Sequence, residues 1–326
     1  MKAVTLGNSG VLIREIDPPK PQPHQIMVKV KACGINRSDL LETQGQNFGH
    51  TGGDTKILGG EFAGEVVEVG TEVEDLSIGD PVMCRGGSGW AEYALAHWRR
   101  AIPIDITNFP WEQAATIQGN MQTMHDAMVT NGRFSSGQTI LIQGASSAVG
   151  LMGLLIARAM EAKLVIGTST DSERRERLGG FGADLVLDSS SEDWVDSVLQ
   201  ATDGSGVDVT IDMLSGDFMN KNMEATVIHG YIINVGRLAG MKGQLDFDMH
   251  ARKRQHYIGT TGRTRTIDES VEVARVANED LWSFVRDEKI RHHIDKVYPL
   301  QDVSSALAEM NANRHFGKLV LLTEDG

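Results

Sequence analysis

Thr139-Ile-Leu-Ile-Gln-Gly-Ala-Ser-Ser-Ala-Val-Gly150 is the stretch whose reading decides the fold. Thr139 to Gln143 is apolar and β-prone, which suits a buried strand, and Gly144 to Gly150 is built of small residues that turn tightly. Leu151 to Met160 is apolar on nearly every face, as a buried helix is, and Lys163 to Thr168 supplies a second strand. This order favours a pyrophosphate, because small residues let backbone approach it and the N-terminus of the new helix offers N–H groups and positive charge. Counting back from Gly150, the three positions of a dinucleotide fingerprint fall at Ala145, Ser147 and Gly150, so only the last keeps its glycine. The turn alone is also compatible with a βαβ unit that binds nothing.

The second strand ends at Ser169-Thr170-Asp171, and Arg174 follows. An acid at a strand tip holds the ribose hydroxyls of NAD, whereas hydroxyls and an arginine suit a 2′-phosphate. With Ser169 at the tip, NADPH is the expected cofactor. Further strands are expected at Leu185 to Leu187, Val207 to Asp212, Tyr231 to Val235 and Tyr257 to Gly259, with helices between most of them. Such alternation predicts an α/β fold with a doubly wound parallel sheet. Residues 1–115 read differently, as short β segments separated by Gly, Pro and Asp turns. The tail adds a helix at Ser270 to Val285, a strand at Lys296 to Pro299, a helix at Val303 to Asn311 and a strand at Lys318 to Leu322. The expected division is therefore 1–115, 116–265 for the dinucleotide unit, and 266–326 returning to complete the first.

The 326 residues include 31 basic and 44 acidic side chains, a formal charge of −13, which opposes attraction to nucleic acid or anionic lipid. The two cysteines, Cys33 and Cys84, sit in apolar surroundings that suit buried thiols rather than a disulfide framework. The first strand begins at once, leaving no room for a secretory signal, and no apolar span reaches transmembrane length, so a cytoplasmic protein is expected.

Several short pieces, in order, carry a resemblance: Ala32-Cys-Gly-Ile-Asn-Arg-Ser-Asp39, Gly59-Gly-Glu-Phe-Ala-Gly64, Val67-Glu-Val-Gly70, Gly79-Asp-Pro-Val82, Trp90-Ala-Glu-Tyr-Ala94, Ala145 to Gly150, Gly206 to Asp212, Gly230 to Gly236 and Gly317-Lys-Leu-Val320. Together they resemble the medium-chain dehydrogenase/reductases, specifically the zinc-independent, zeta-crystallin-like quinone oxidoreductases. The resemblance implies a GroES-like β-rich catalytic domain, a central Rossmann domain and a homodimer. In zinc-containing relatives the ligands stand at positions that align here with Asn36, Gly60 and Gly119, while Glu61 matches a glutamate of the second motif. No ligand set remains, so no metal is expected.

Without a metal to polarise an alcohol, the accessible reaction is hydride delivery from NADPH to an acceptor already electrophilic, a quinone or an α,β-unsaturated carbonyl. The resemblance places Asn36 and Asp39 beside the acceptor, although Asn36 or Ser38 also reads as the cap of a short helix. His125 is a candidate hydrogen-bond or proton donor, although a lone histidine in a Met-rich helix also reads as a packed or partly solvated ring. For the cofactor it points to Thr123 on the nicotinamide side, to Ala145, Ser146, Ser147, Ala148, Val149 and Gly150 in the pyrophosphate turn, and to Ser169, Thr170 and Arg174 at the adenosine phosphate. Asn234, Val235 and Gly236 follow the fifth strand and are expected to line the nicotinamide. The alternatives are a zinc-free alcohol dehydrogenase, an enoyl-thioester reductase, or an NADPH-binding protein with a regulatory or structural role. Gln44 to Thr55 reads as a Gly-rich loop that shapes the acceptor site.

Overall fold

A computed structural model describes residues 1–7, 10–45 and 57–324, so most of the 44–55 loop lies outside the described residues. Two compact units emerge: Met1–Gly119, Arg263–Ala274 and His292–Gly326 form the first, and Asn120–Gly262 with Arg275–Arg291 the second. The uninterrupted return expected over 266–326 is thus corrected, because residues 275–291 group with the second unit. Helix Ile267–Arg286 carries Ala277, Leu281 and Val285 four residues apart, so they form one stripe. All three are buried.

The first unit is built on the strand Gln25–Ile35. Its side chains alternate inward and outward until Ala32, beyond which Cys33, Gly34 and Ile35 are all buried. The sheet order is Ile294–Pro299, Lys318–Leu322, Gln25–Ile35, Glu61–Val69, Pro81–Arg85 and Ala101–Pro103, with Tyr93–His97 also pairing Gln25–Ile35. Lys318–Leu322 lies between Ile294–Pro299, to which it is parallel, and Gln25–Ile35, to which it is antiparallel. The parallel pair is joined through helix Val303–Asn311, and the last strand therefore reaches the middle of a sheet begun near the N-terminus. Leu319, Val320 and Leu321 are fully buried there.

The second unit holds six parallel strands in the order Leu185–Leu187, Leu164–Thr168, Thr139–Ile142, Val207–Asp212, Thr226–Asn234 and His256–Gly259. Chain direction across the sheet reverses between Thr139–Ile142 and Val207–Asp212. In open α/β sheets, ligands settle at the carboxyl ends of the strands flanking such a reversal. Gly144 to Ser147 lie at that point. Helix Ala148–Ala159 starts three residues earlier than the apolar run suggests, because Ser147 Oγ accepts the Gly150 N–H at 3.1 Å and caps it.

Removing the Leu321 side chain should show that the C-terminal strand is core. Leu321→Ala is expected to cost about 2–5 kcal/mol, read as a lower urea midpoint, with the parallel sheet of the second unit unaffected.

Candidate active site

Strand Gln25–Ile35 ends immediately before Asn36, which stands at the N-cap position of helix Arg37–Thr43 in an extended conformation. The cap bond itself comes from the other direction, since Asp39 Oδ2 accepts the Asn36 backbone N–H at 2.7 Å. The Asn36 amide is turned elsewhere. Its Nδ2 donates to Glu61 Oε1 at 2.9 Å and its Oδ1 accepts from Lys318 Nζ at 2.8 Å. Lys318 also donates to Glu61 Oε1, closing a triangle of three side chains.

Glu61 opens the strand Glu61–Val69 and sits in register with Arg85 on the neighbouring strand, while Lys318 opens the C-terminal strand. Lys318 is 1 % exposed and Glu61 3 %, whereas Asn36 is only half-buried. Neither charge could remain there alone, because the cost of stripping its water is met only by a partner and by satisfied hydrogen bonds. Around the carboxylate the backbone is bare by necessity: a Cβ on Gly34 or on Gly119 would run into the Glu61 oxygens. Burial raises the Asp39 carboxyl to about 7, its Asn36 hydrogen bond opposes this, the Glu61 charge adds to it and Lys318 lowers it. Burial likewise lowers the pKa of the Arg85 guanidinium.

This donor set does not fit a zinc ion. Positions 36, 60 and 119 carry an amide and two glycines, and the carboxylate nearby is already paired with an ammonium. Among the described residues no group of three His, Cys, Asp or Glu side chains could hold a metal.

In the second unit, the phosphate-type turn is assembled from small residues in specific roles. Gly144 has φ +68°, which favours glycine, and its N–H donates to Thr168 Oγ1 at 3.1 Å. Ala145 is fully buried, and its N–H donates to the Thr168 carbonyl at 2.8 Å. A Cβ on Gly150 would lie 2.7 Å from Ala145 Cα, so that glycine allows the close contact between helix and turn. Ser146 and Ser169 share a hydrogen bond of 2.9 Å, which joins the turn to the tip of Leu164–Thr168. Thr170 is exposed and Arg174 half-buried, its Nε 3.8 Å from Asp171. Arg175, rather than Arg174, braces the tip: it donates to the Ser169 carbonyl at 2.8 Å and pairs with Asp188. These residues fit a nucleotide, since the 12-residue helix starting at Ala148 presents first-turn N–H groups that its own backbone cannot satisfy.

At the end of Thr226–Asn234, Asn234 is buried and its amide donates to Ser215 Oγ, which donates to the Gly236 carbonyl at 2.7 Å. Val235 and Gly236 both donate backbone N–H groups to the Asp212 carbonyl. Gly236 is required for packing on its own chain, because a Cβ there would stand 2.6 Å from the Met213 carbonyl oxygen. Asp212 anchors the preceding turn by accepting from Leu214 and Ser215 N–H at 2.9 and 2.8 Å, and burial raises its carboxyl. Thr123 is half-buried near the end of helix Trp111–His125.

The structure thus gathers Asn36 with Asp39 in the first unit, and the turn with Ser169, Thr170 and Arg174 in the second. His125 stands apart. Its ring is 1 % exposed and Nε2 lies 2.7 Å from Asp280 Oδ2, so the side chain is packed against Asp280 within the second unit. Glu61 and Lys318 were absent from the candidate set. A visible signal existed for the lysine, a lone charge opening the otherwise apolar strand Lys-Leu-Val-Leu-Leu. No helix among the described residues is long and apolar enough to cross a membrane.

Two family models match: "Alcohol dehydrogenase GroES-like domain" over residues 22–106 and "Zinc-binding dehydrogenase" over residues 148–277. A quinone oxidoreductase of Pseudomonas aeruginosa is 26% identical over 318 residues, covering 95% of this chain and 94% of that one. A component of the phenolphthiocerol/phthiocerol polyketide synthase of Mycobacterium tuberculosis is 31% identical over 192 residues, 59% of this chain. The matched region spans only 9% of that much longer protein. The crystal structure of Escherichia coli quinone oxidoreductase complexed with NADPH superposes with a TM-score of 0.88 at 21% identity, covering 99% of this chain and all of that one.

Asp39 makes a pH test available. Its unfolded carboxyl titrates near the ordinary 3.8 and its folded one near 7, so protonation favours the folded state. The contribution is complete below the unfolded value and is lost as pH rises through the folded one. Asp39→Asn, which cannot ionise, is expected to gain melting temperature relative to the parent as pH goes from about 4 to about 8, and a constant difference across that range would contradict the assignment.

Proposed function

Since the chain belongs to the medium-chain dehydrogenase/reductase superfamily, in its zeta-crystallin-like quinone oxidoreductase branch, we propose that it reduces quinones or α,β-unsaturated carbonyls with NADPH and without a catalytic metal. The observation that carries this reading is that the positions aligned with the zinc ligands of relatives hold Asn36, Gly60 and Gly119, and that Asn36 is bound instead into a triangle with the buried Glu61 and Lys318. A bound NADPH supplies the hydride. The protein supplies position, charge and hydrogen bonds.

On this reading Ala145, Ser146, Ser147, Ala148, Val149 and Gly150 receive the pyrophosphate through backbone N–H groups and the helix N-terminus. Ser169, Thr170 and Arg174 receive the 2′-phosphate, with Arg175 keeping the strand tip in place. Thr123, Asn234, Val235 and Gly236 flank the nicotinamide. Asn36 donates an N–H to the acceptor oxygen as negative charge develops on it, an interaction stronger in the transition state than in the ground state. Asp39 holds the Asn36 backbone, and His125 holds Asp280 without taking part in proton transfer.

We also propose a homodimer formed through strand His256–Gly259. It is one of the two edges of the six-stranded sheet and exposes Tyr257 at 46%, so its backbone offers a row of groups for pairing. The −13 charge and the intact buried thiols fit a cytoplasmic protein that binds small molecules rather than nucleic acid. A second reading, an acyl-thioester enone as acceptor, draws support from the 31% identity with the polyketide synthase component.

A panel assay following NADPH absorbance decides among acceptors: turnover of 1,4-benzoquinone or a simple enone is expected, crotonyl-pantetheine above both would favour the second reading, and oxidation of none would reject the enzyme. Arg174→Ala is expected to weaken NADPH about tenfold or more while leaving NADH unchanged, and equal dissociation constants for the two cofactors in the parent would reject the phosphate assignment.

A further inference from the structure

We propose that the Glu61–Lys318 ion pair is a positioning device for Asn36, fixing its amide so that the second Nδ2 hydrogen, and never the carbonyl oxygen, faces the acceptor. This rests on reading Asn36 as the acceptor-side donor and adds what makes it a donor. The two ends of an asparagine amide are nearly isosteric, one accepting through oxygen and the other donating through NH₂. Only the nitrogen end can stabilise an oxygen on which negative charge grows. The oxygen end would repel it.

The surroundings leave the amide one orientation. An ammonium only donates, so Lys318 must meet Oδ1, and an ionised carboxylate only accepts, so Glu61 must meet Nδ2, as they do at 2.8 and 2.9 Å. A half-turn of the amide would set nitrogen against ammonium and oxygen against carboxylate, losing both bonds to repulsion in a buried place where charge is poorly screened. One Nδ2 hydrogen is spent on Glu61, which leaves the other. Of the three side chains Asn36 alone is half-buried, while Glu61 and Lys318 are 3 % and 1 % exposed. The ion pair is thus sealed behind the one group a ligand can reach. The ammonium bond to Oδ1 also polarises the amide toward its N–H, strengthening it as a donor.

The pair acts through Asn36, so the test separates orientation from folding and from cofactor binding. Removing either partner alone leaves the other as an unpaired buried charge, so Glu61→Met and Glu61→Gln are each read against melting temperature and beside the neutral double variant Lys318→Met/Glu61→Gln, which strands neither, together with Asn36→Asp. Each is assayed for kcat and KM with 1,4-benzoquinone, for the NADPH dissociation constant, for melting temperature, and for the Asn36 side-chain ¹H–¹⁵N pair by NMR. Asn36→Asp, which removes the donor, is expected to lower kcat about 100-fold or more. Glu61→Met and the double variant are expected to lower kcat about tenfold and to move the Asn36 resonances, with NADPH affinity within about twofold of the parent. Glu61→Gln keeps an acceptor for Nδ2 and is expected to recover most of what Glu61→Met loses. A slow Asn36→Asp beside full-rate Glu61→Met and double variants overturns the positioning role alone. Full kcat in Asn36→Asp overturns the donor reading beneath it, and losses in the double variant that follow melting temperature and NADPH affinity together show a structural role only.

Discussion

The ion pair between Glu61 and Lys318 is the constraint on which the first unit depends. It joins residues 257 positions apart, one opening the strand beside Gln25–Ile35 and the other opening the C-terminal strand on its opposite side. Hydrophobic burial of Leu319 and Leu321 drives that strand into the sheet but is indifferent to register along it. A buried ammonium that must meet one particular carboxylate is not indifferent, because any slip leaves two unpaired charges. The same requirement dictates the bare backbone at Gly34 and Gly119, where side chains would occupy the space of the carboxylate.

A comparable economy governs the turn of the second unit. The fingerprint keeps one glycine of three, yet each departure is accommodated by what the side chain does. Ala145 is small enough to be fully buried under the strand tip, and Ser147 in the middle position caps the helix through Oγ, a bond glycine could not make. Gly150 is retained because its contact with Ala145 leaves no room for a Cβ. Gly144, outside the counted pattern, supplies the left-handed residue that turns the chain. The turn is therefore a closed set of hydrogen bonds before any ligand arrives, which lowers the ordering that binding must bring about.

Local periodicity made most of the architecture legible. The apolar runs Thr139–Ile142, Val207–Asp212 and Lys318–Leu322 are strands because a buried strand must be apolar on both faces, and the small-residue turn marks where the first parallel strand meets its helix. Long-range pairing was not legible. Nothing near His125 announces Asp280, 155 residues away, so the sequence leaves a proton donor and a packed ring equally open. Helix Ile267–Arg286 read as part of a continuous return because its stripe of Ala277, Leu281 and Val285 says that the helix is buried without saying in which unit. Arg174 drew attention over Arg175 by being nearer the strand tip in sequence, whereas the helix turns the second of them back onto the Ser169 carbonyl. The Asn36 pattern was legible as a contact or a cap, and the structure assigns the capping to Asp39 and frees the amide to meet Glu61 and Lys318.

An amide backed by a buried ammonium, in place of a metal, has a chemical consequence under the proposed function. A zinc ion binds a substrate oxygen directly and acidifies it, which allows an unactivated alcohol to enter the reaction. An ammonium sealed at 1 % exposure cannot touch substrate, and its charge reaches the acceptor only through the polarised Asn36 amide. One neutral hydrogen bond stabilises a developing oxyanion by a few kcal/mol at most, too little to drive a substrate whose carbon is not already electron-poor. Quinones and enones meet that condition because conjugation spreads the incoming electron pair. The selectivity proposed for this protein thus follows from how little its acceptor-side machinery can contribute, and the buried pair behind Asn36 sets that limit.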